Sequence, residues 1–330
     1  MPKKFSKAEL QSLVPSACDI FKSIMPPIDA SLPRVYIADG RNFLRVRKEV
    51  FSDIGCPDKE LPAEDAITEY IHGEQNSAIL IRQNLLPDND KQSFYWFLWH
   101  ELGHWYTRNT EPDDLRRYSN PNLLDAVTLS DRLRGVNTTI TQLKQDGYWF
   151  WQEFIAEAIS QYVSGEYDAQ QFDTSQPIEW RSSVYFPIII YLDSMLDAAF
   201  SPDDAVDEYA LAHYFANLLM RDVIVLFEKA AEAGELIPDT IDGFEIPDVP
   251  DASMDPTRIS DIEFEEFQPA MRELHKLLKC QVQKERFWEV DENFLLELGR
   301  HIKELRDIKI QIIATIELEN QYDDTSVQNN

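Results

Sequence analysis

A chain of 330 residues with 44% apolar and 12% aromatic residues can bury one large core or two ordinary ones, so it is predicted to fold. Its 31 basic and 59 acidic residues give a formal net charge of −28, which argues against nucleic acid and anionic membrane surfaces as partners. Three separated cysteines without a CxxC pair, no signal-peptide pattern and no apolar run of the roughly 18 to 20 residues that a membrane span needs favour a cytoplasmic protein.

The N-terminal part is predicted to combine a helix with two strands. An amphipathic helix is expected before the Pro26-Pro27 pair, and a strand is expected at residues 34–39. After a polar stretch, SAILIRQNLL at residues 77–86 is predicted as a second strand, because β-branched and long apolar residues dominate it and a Pro-Asp pair follows it.

Two strongly apolar helices are expected next, on either side of a polar segment. The first is FYWFLWHELGHWY at residues 94–106, and the second is WFWQEFIAEAISQYV at residues 149–163. The polar residues between them, 107–147, are predicted to form a surface insertion. Beyond about residue 175 the pattern is mainly helical, with an acidic, proline-rich loop at 231–269 in which no compact helix is expected.

These patterns predict an α+β fold with a small sheet beside the two apolar helices, followed by a mostly helical C-terminal region. We place the first domain at residues 1–170, including the insertion at 107–147, and the helical region at 171–330. The sequence does not decide whether the helical region forms a domain of its own.

The first apolar helix carries a pattern suited to binding a metal ion. His100 and His104 are four residues apart, so both imidazoles lie on one face of the helix. Glu101 lies about a third of a turn from His100, outside that pair but within reach of a water molecule near the ion. The alternative is an apolar helix that carries two imidazoles by chance.

The second apolar helix supplies carboxylates that would complete such a site. A catalytic zinc ion needs a third protein ligand, and Glu153 and Glu157 share one face of this helix. From the residues alone either glutamate could be that ligand.

The pattern ILIRQNLL, FYWFLWHELGHW and QEFIAEAIS resembles the gluzincin class of zinc metallopeptidases, and within it the compact ImmA/IrrE-type domain. The resemblance covers roughly residues 30–165. It implies a zincin-like fold that binds one Zn²⁺, with His100, His104 and Glu153 as ligands and Glu101 as the general base. It also implies that Gly103 is the glycine of the first motif and that Ala156 is the small residue of the second, which permits close helix packing.

Glu157 departs from this resemblance, because the family usually has Asn or Asp at this position. We expect its carboxylate to accept a hydrogen bond from a ligand histidine. His213, Tyr214 and Tyr148 are candidate donors to the transition state, with ordinary packing as the alternative for the first two. His72, His275 and His301 are expected at the surface.

The leading hypothesis is therefore a zinc-dependent metallopeptidase that acts on a protein or peptide. Enzymes of this shape pair their substrate with an edge strand, and SAILIRQNLL is the candidate for it; an ordinary sheet strand is the alternative. A second hypothesis is a regulatory binding protein that keeps the metallopeptidase scaffold with little or no turnover. The sequence does not determine the oligomeric state.

Overall fold

The computed structural model describes residues 5–56, 68–73, 76–86, 91–119, 139–171, 192, 194–201, 205–220 and 261–327. The chain divides into two compact units. The first consists of residues 1–111 and 155–177, and the second of residues 112–154 and 178–330. The boundaries of these units differ from those of the predicted domains, because residues 112–154 belong to the same unit as residues 178–330.

The described residues form an α+β structure in which helices predominate. The strands are β1 Arg34–Ala38, β2 Thr68–His72 and β3 Ser77–Arg82. The helices are α1 Lys7–Ile24, α2 Phe43–Asp53, α3 Lys91–Thr110, α4 Asp113–Arg116, α5 Ile140–Gln171, α6 Glu208–Met220, α7 Asp261–Val282 and α8 Glu292–Val327. Short 3₁₀ turns follow at Gln83–Leu85 and Arg117–Ser119, and residues 194–200 are also helical.

The sheet of the first unit is mixed and has the strand order β1-β3-β2. Strand β3 pairs with β1 in parallel and with β2 antiparallel. The two predicted strands are therefore present, although the second ends at Arg82 and is followed by a 3₁₀ turn. The expectation that this second strand lies at the edge of the sheet is wrong. SAILIR lies in the centre of the sheet, because a short strand that the sequence analysis missed, β2, pairs along its other side.

The two faces of this sheet pack against different helices. Helix α2, which also lies in the stretch expected to be merely polar, covers one face. Its Phe43, Val50 and Phe51 are buried in one core with Ala78 and Leu80 of β3. Side chains alternate along a strand, so the intervening positions of β3 face the opposite side, where α3 packs.

Helices α3 and α5 cross closely within the first unit. A Cβ atom built on Gly103 would lie 2.8 Å from the carbonyl oxygen of Ala156 and 2.9 Å from its Cα. Ordinary carbon contacts are about 3.5 to 4.0 Å, so only glycine permits this approach. The close helix packing expected at Ala156 is therefore present in the structure, and its partner across the crossing is Gly103.

Helix α5 begins at Ile140, nine residues before the predicted start of the apolar pattern. Its first two turns lie in the segment expected to form a surface insertion, yet Gln142, Gln145 and Asp146 are buried. They are buried because they have partners: Gln145 donates to the carbonyl of Tyr118 at 3.3 Å, for example. Residues 120–138 of the proposed insertion lie outside the described part of the chain.

The second unit has its own close helix crossing, between α5 and α8. A Cβ atom at Gly147 would overlap the carbonyl oxygen of Leu295, and one at Gly299 would overlap that of Leu143. Beside this crossing, Arg306 forms ion pairs with Asp146, at 2.7 Å, and with Glu208.

Two expectations for the C-terminal part are wrong. His275 is buried on α7, with 3% of its surface exposed, because its helix packs against both α6 and α8. Residues 261–269 of the proposed acidic loop belong to α7, and Pro269 lies inside this helix. The rest of that loop, residues 231–260, lies outside the described residues.

Among the described residues, no helix is both long enough and apolar enough to cross a membrane.

Candidate metal centre

The candidate site lies on the facing sides of α3 and α5. The rings of His100 and His104 are adjacent on α3, with centroids 4.9 Å apart and planes at 84°. Helix α5 runs without interruption across the border between the two units. Glu153 lies on this helix one turn before Glu157.

The structure brings the three predicted ligands together. One ligand atom from each of His100, His104 and Glu153 lies within 4.8 Å of the other two. His100 is buried, whereas His104 and Glu153 are partly exposed. The group is therefore buried at His100 and reached by solvent at His104 and Glu153.

Glu157 contacts His100 as expected. The Nδ1 atom of His100 lies 3.2 Å from Oε2 of Glu157, and the glutamate is fully buried. When Glu157 is ionised, its carboxylate can only accept a hydrogen bond, and the contact then selects the tautomer in which Nδ1 carries the hydrogen and Nε2 keeps its lone pair for an ion. The contact expected between the Glu157 carboxylate and a histidine of α3 is therefore present in the structure.

Gln161 extends this contact by one more residue. Its Nε2 atom donates to Oε1 of Glu157 at 2.7 Å, in a buried position one turn further along α5. The two oxygens of Glu157 are thus held from opposite sides, which fixes the orientation of the His100 ring. The sequence analysis missed Gln161, although its spacing of four residues from Glu157 places both on one helix face.

Glu101 points toward the sheet edge rather than into solvent. Only 4% of its surface is exposed, and its Oε1 atom accepts a hydrogen bond of 2.5 Å from the hydroxyl of Thr68 on β2. The backbone of Tyr70 also forms a hydrogen bond with this carboxylate. Sequence reasoning missed both contacts because it missed β2, whose only signal was the short run of β-branched and aromatic residues in TEYIH.

The surroundings of Glu101 change its proton affinity. Burial raises the pKa of this carboxyl group above its usual value, since the charged form loses hydration. The neighbouring His100 and the hydrogen bond from Thr68 oppose this rise, while the charge of Glu69 adds to it. A carboxylate with a raised pKa is a stronger base, which suits proton transfer near neutral pH.

Arg47 on α2 holds Glu69 from the other face of β2. Its Nε atom lies 2.9 Å from Oε2 of Glu69, and a second guanidinium nitrogen lies 2.9 Å from Oε1. The guanidinium group also lies 4.3 Å from the ring centroid of Phe51. The Arg47 side chain of this bidentate ion pair is buried, and the pair holds β2 beside the site.

The candidate donors to a transition state lie in the second unit. His213 and Tyr214 are buried on α6, where the His213 ring packs on Tyr209 with centroids 4.3 Å apart. Tyr148 is buried on α5, five residues before Glu153, so the two side chains point about 140° apart around the helix. A role for these three residues stays a prediction.

Searches against protein-family models, curated proteins and solved structures find no significant match to this chain.

Proposed function

We propose that this protein is a zinc-dependent metallopeptidase with a zincin-like catalytic unit. The observation that carries the proposal is the convergence of His100, His104 and Glu153, whose ligand atoms lie within 4.8 Å of one another. Two imidazoles and a carboxylate are the ligand set of a catalytic zinc site that keeps one position open.

The donor atoms fit such an ion in type and in spacing. A tetrahedral zinc ion bonded at about 2.1 Å holds its ligand atoms about 3.4 Å apart. Ligand atoms within 4.8 Å of one another reach this spacing by side-chain adjustments of about an ångström. When bound, the ion would supply a Lewis acid that polarises the scissile carbonyl and activates water.

Residues of the chain transfer the proton, orient a ligand and exclude water. Glu101 accepts a proton from the attacking water and passes it to the leaving amine. Glu157 keeps the ring of His100 in the orientation and tautomer that a ligand requires, and Gln161 keeps Glu157 in place. The burial of Glu101 and His100 excludes bulk water from one side of the reacting groups.

Strand β2, rather than the central strand first considered, is the better candidate to bind a peptide substrate. Within the described sheet β2 is an edge strand, and Thr68 at its start contacts Glu101 directly. A peptide that adds to this edge gains main-chain hydrogen bonds and lies next to the general base. The substrate class that this arrangement favours is an extended segment of a protein or peptide.

Metal content tests the site directly. Protein purified without chelators and analysed by inductively coupled plasma mass spectrometry should contain about one zinc ion per chain. His100→Ala, His104→Ala and Glu153→Ala should each abolish stoichiometric zinc. Glu166→Ala, which removes an exposed carboxylate from the same helix α5, is the matched control and should retain it. Wild-type protein without stoichiometric zinc would refute the proposal.

Turnover separates the enzyme from the alternative, a binding protein on the same scaffold. A mixture of internally quenched fluorescent peptides provides the substrate probe, and mass spectrometry identifies the products. Glu101→Gln should abolish cleavage while zinc stays bound. Zinc-loaded wild-type protein that cleaves no peptide of the mixture and no unfolded protein would favour the binding function.

A further inference from the structure

Thr68 lies beside Glu101 at the edge of the sheet. It is the first residue of β2, and its hydroxyl donates to only one of the two carboxylate oxygens of Glu101. A hydroxyl group has one hydrogen to donate, so the contact commits Thr68 to Oε1.

The geometry points to Thr68 as a positioning residue for the general base, an inference that rests on the proposed function. By holding Oε1, Thr68 stops the rotation that would exchange the two carboxylate oxygens and leaves Oε2 to receive the proton. Thr68 does not itself contact the reacting atoms. It acts through Glu101.

Strand β2 holds Thr68 in a fixed position relative to Glu101. Side chains alternate along the strand, so Thr68 faces α3 while Glu69 faces α2. On that second face the double hydrogen bond between Arg47 and Glu69 anchors the strand. Thr68 is also β-branched, which restricts its side-chain rotation and keeps the hydroxyl directed at Glu101.

The contact also links the base to the edge at which a peptide would bind. The backbone of Tyr70, two residues along β2, forms a further hydrogen bond with the Glu101 carboxylate. Two groups of the same strand thus hold the general base. Its orientation therefore depends on β2 as well as on its own helix α3.

Isosteric substitution tests this role. Thr68→Val keeps the shape and removes the donor, whereas Thr68→Ser keeps the donor and removes a methyl group. A hydrogen bond to a charged group is worth enough to change a rate about 10- to 100-fold. We expect Thr68→Val to lower kcat by this factor with KM changed less than about twofold, and Thr68→Ser to restore most of kcat.

A second readout does not depend on turnover. Acetohydroxamate binds zinc sites and offers a hydrogen bond to the general base, so its affinity, measured by isothermal titration calorimetry, reports the orientation of Glu101. Thr68→Val should weaken its binding about tenfold at unchanged zinc content and melting temperature, and Thr68→Ser should not. The control Thr315→Val removes an exposed hydroxyl on α8 and should change neither quantity.

The outcomes separate this inference from the proposed function. If wild-type protein binds zinc and acetohydroxamate and Thr68→Val behaves like it in both assays, the positioning role is wrong and the proposed function stands. If Thr68→Val loses zinc or melts earlier, and Thr68→Ser fails to rescue kcat or affinity, the residue is structural and the inference is refuted. If the wild type holds no zinc, both proposals fall together.

Discussion

The crossing of α3 and α5 can be tested by adding a single methyl group. Gly103→Ala places a Cβ atom 2.8 Å from the carbonyl oxygen of Ala156, and the helices must separate by roughly 0.6 to 1 Å to restore ordinary contact. Overpacking of this kind costs about 1 to 3 kcal/mol. The higher helix propensity of alanine returns about 1 kcal/mol, so the expected net effect is a loss of about 0 to 2 kcal/mol.

The chain offers a matched control on α5. Gly165 is exposed in the helix, and a Cβ atom there meets nothing within 4 Å. Gly165→Ala should therefore raise the free energy of unfolding by about 1 kcal/mol, the propensity gain alone. Urea unfolding of both variants should place Gly103→Ala about 1 to 3 kcal/mol below Gly165→Ala.

The same variant should weaken zinc binding, because the separation of α3 from α5 moves Glu153 and Glu157 away from the two histidines. Competition with a fluorescent zinc chelator measures this affinity. The reasoning about close packing is refuted if Gly103→Ala is as stable as Gly165→Ala and binds zinc as tightly as the wild type.

Three further predictions concern the fold. Gly147→Ala and Gly299→Ala each place a methyl group on a backbone carbonyl of the facing helix, so each should cost about 3 kcal/mol or more in urea unfolding; a loss below 1 kcal/mol would contradict the crossing. Ser6→Ala removes the capping box of α1 and should cost about 1 kcal/mol, which Ser6→Asp should largely restore. Burial lowers the pKa of His275 to about 4, so the unfolded chain, with an ordinary value near 6.5, binds more protons between these values. The free energy of unfolding should therefore fall by up to about 3 kcal/mol as the pH drops through this window. His275→Gln should show a smaller fall between pH 7 and 4.5. An equal fall in both proteins would show that groups other than His275 cause the loss of stability.

The agreement between sequence and structure is best where local spacing sets the geometry. Two histidines four residues apart on a helix must share a face, and the same holds for Glu153 and Glu157. Strands β1 and β3 were predictable because each is a run of residues with strong strand preference. Ala156 could be assigned to close helix packing because a small side chain lets two helices approach, whereas the structure identifies Gly103 as its partner.

Pairing between segments that are distant in the chain was harder to predict from the sequence. Strand β2 has only five residues, too few for a clear alternating pattern, and it exists because the edge of β3 supplies its hydrogen bonds. Without β2, the central strand β3 is predicted as an edge strand, and the contact between Thr68 and Glu101 is not predicted. The first turns of α5 are polar, which predicts a surface segment. Their side chains are buried because residues from distant segments of the chain form hydrogen bonds and ion pairs with them.

What the sequence by itself determined is therefore the chemistry on each helix: two imidazoles and an adjacent carboxylate on α3, and two glutamates one turn apart on α5. The tertiary structure decided that these two faces meet, that Glu157 contacts His100, and that the edge strand beside Glu101 is β2. The physical reason is the range of each interaction. Helical periodicity acts over four residues, whereas strand pairing and helix crossing join residues whose separation in the chain carries no local signal.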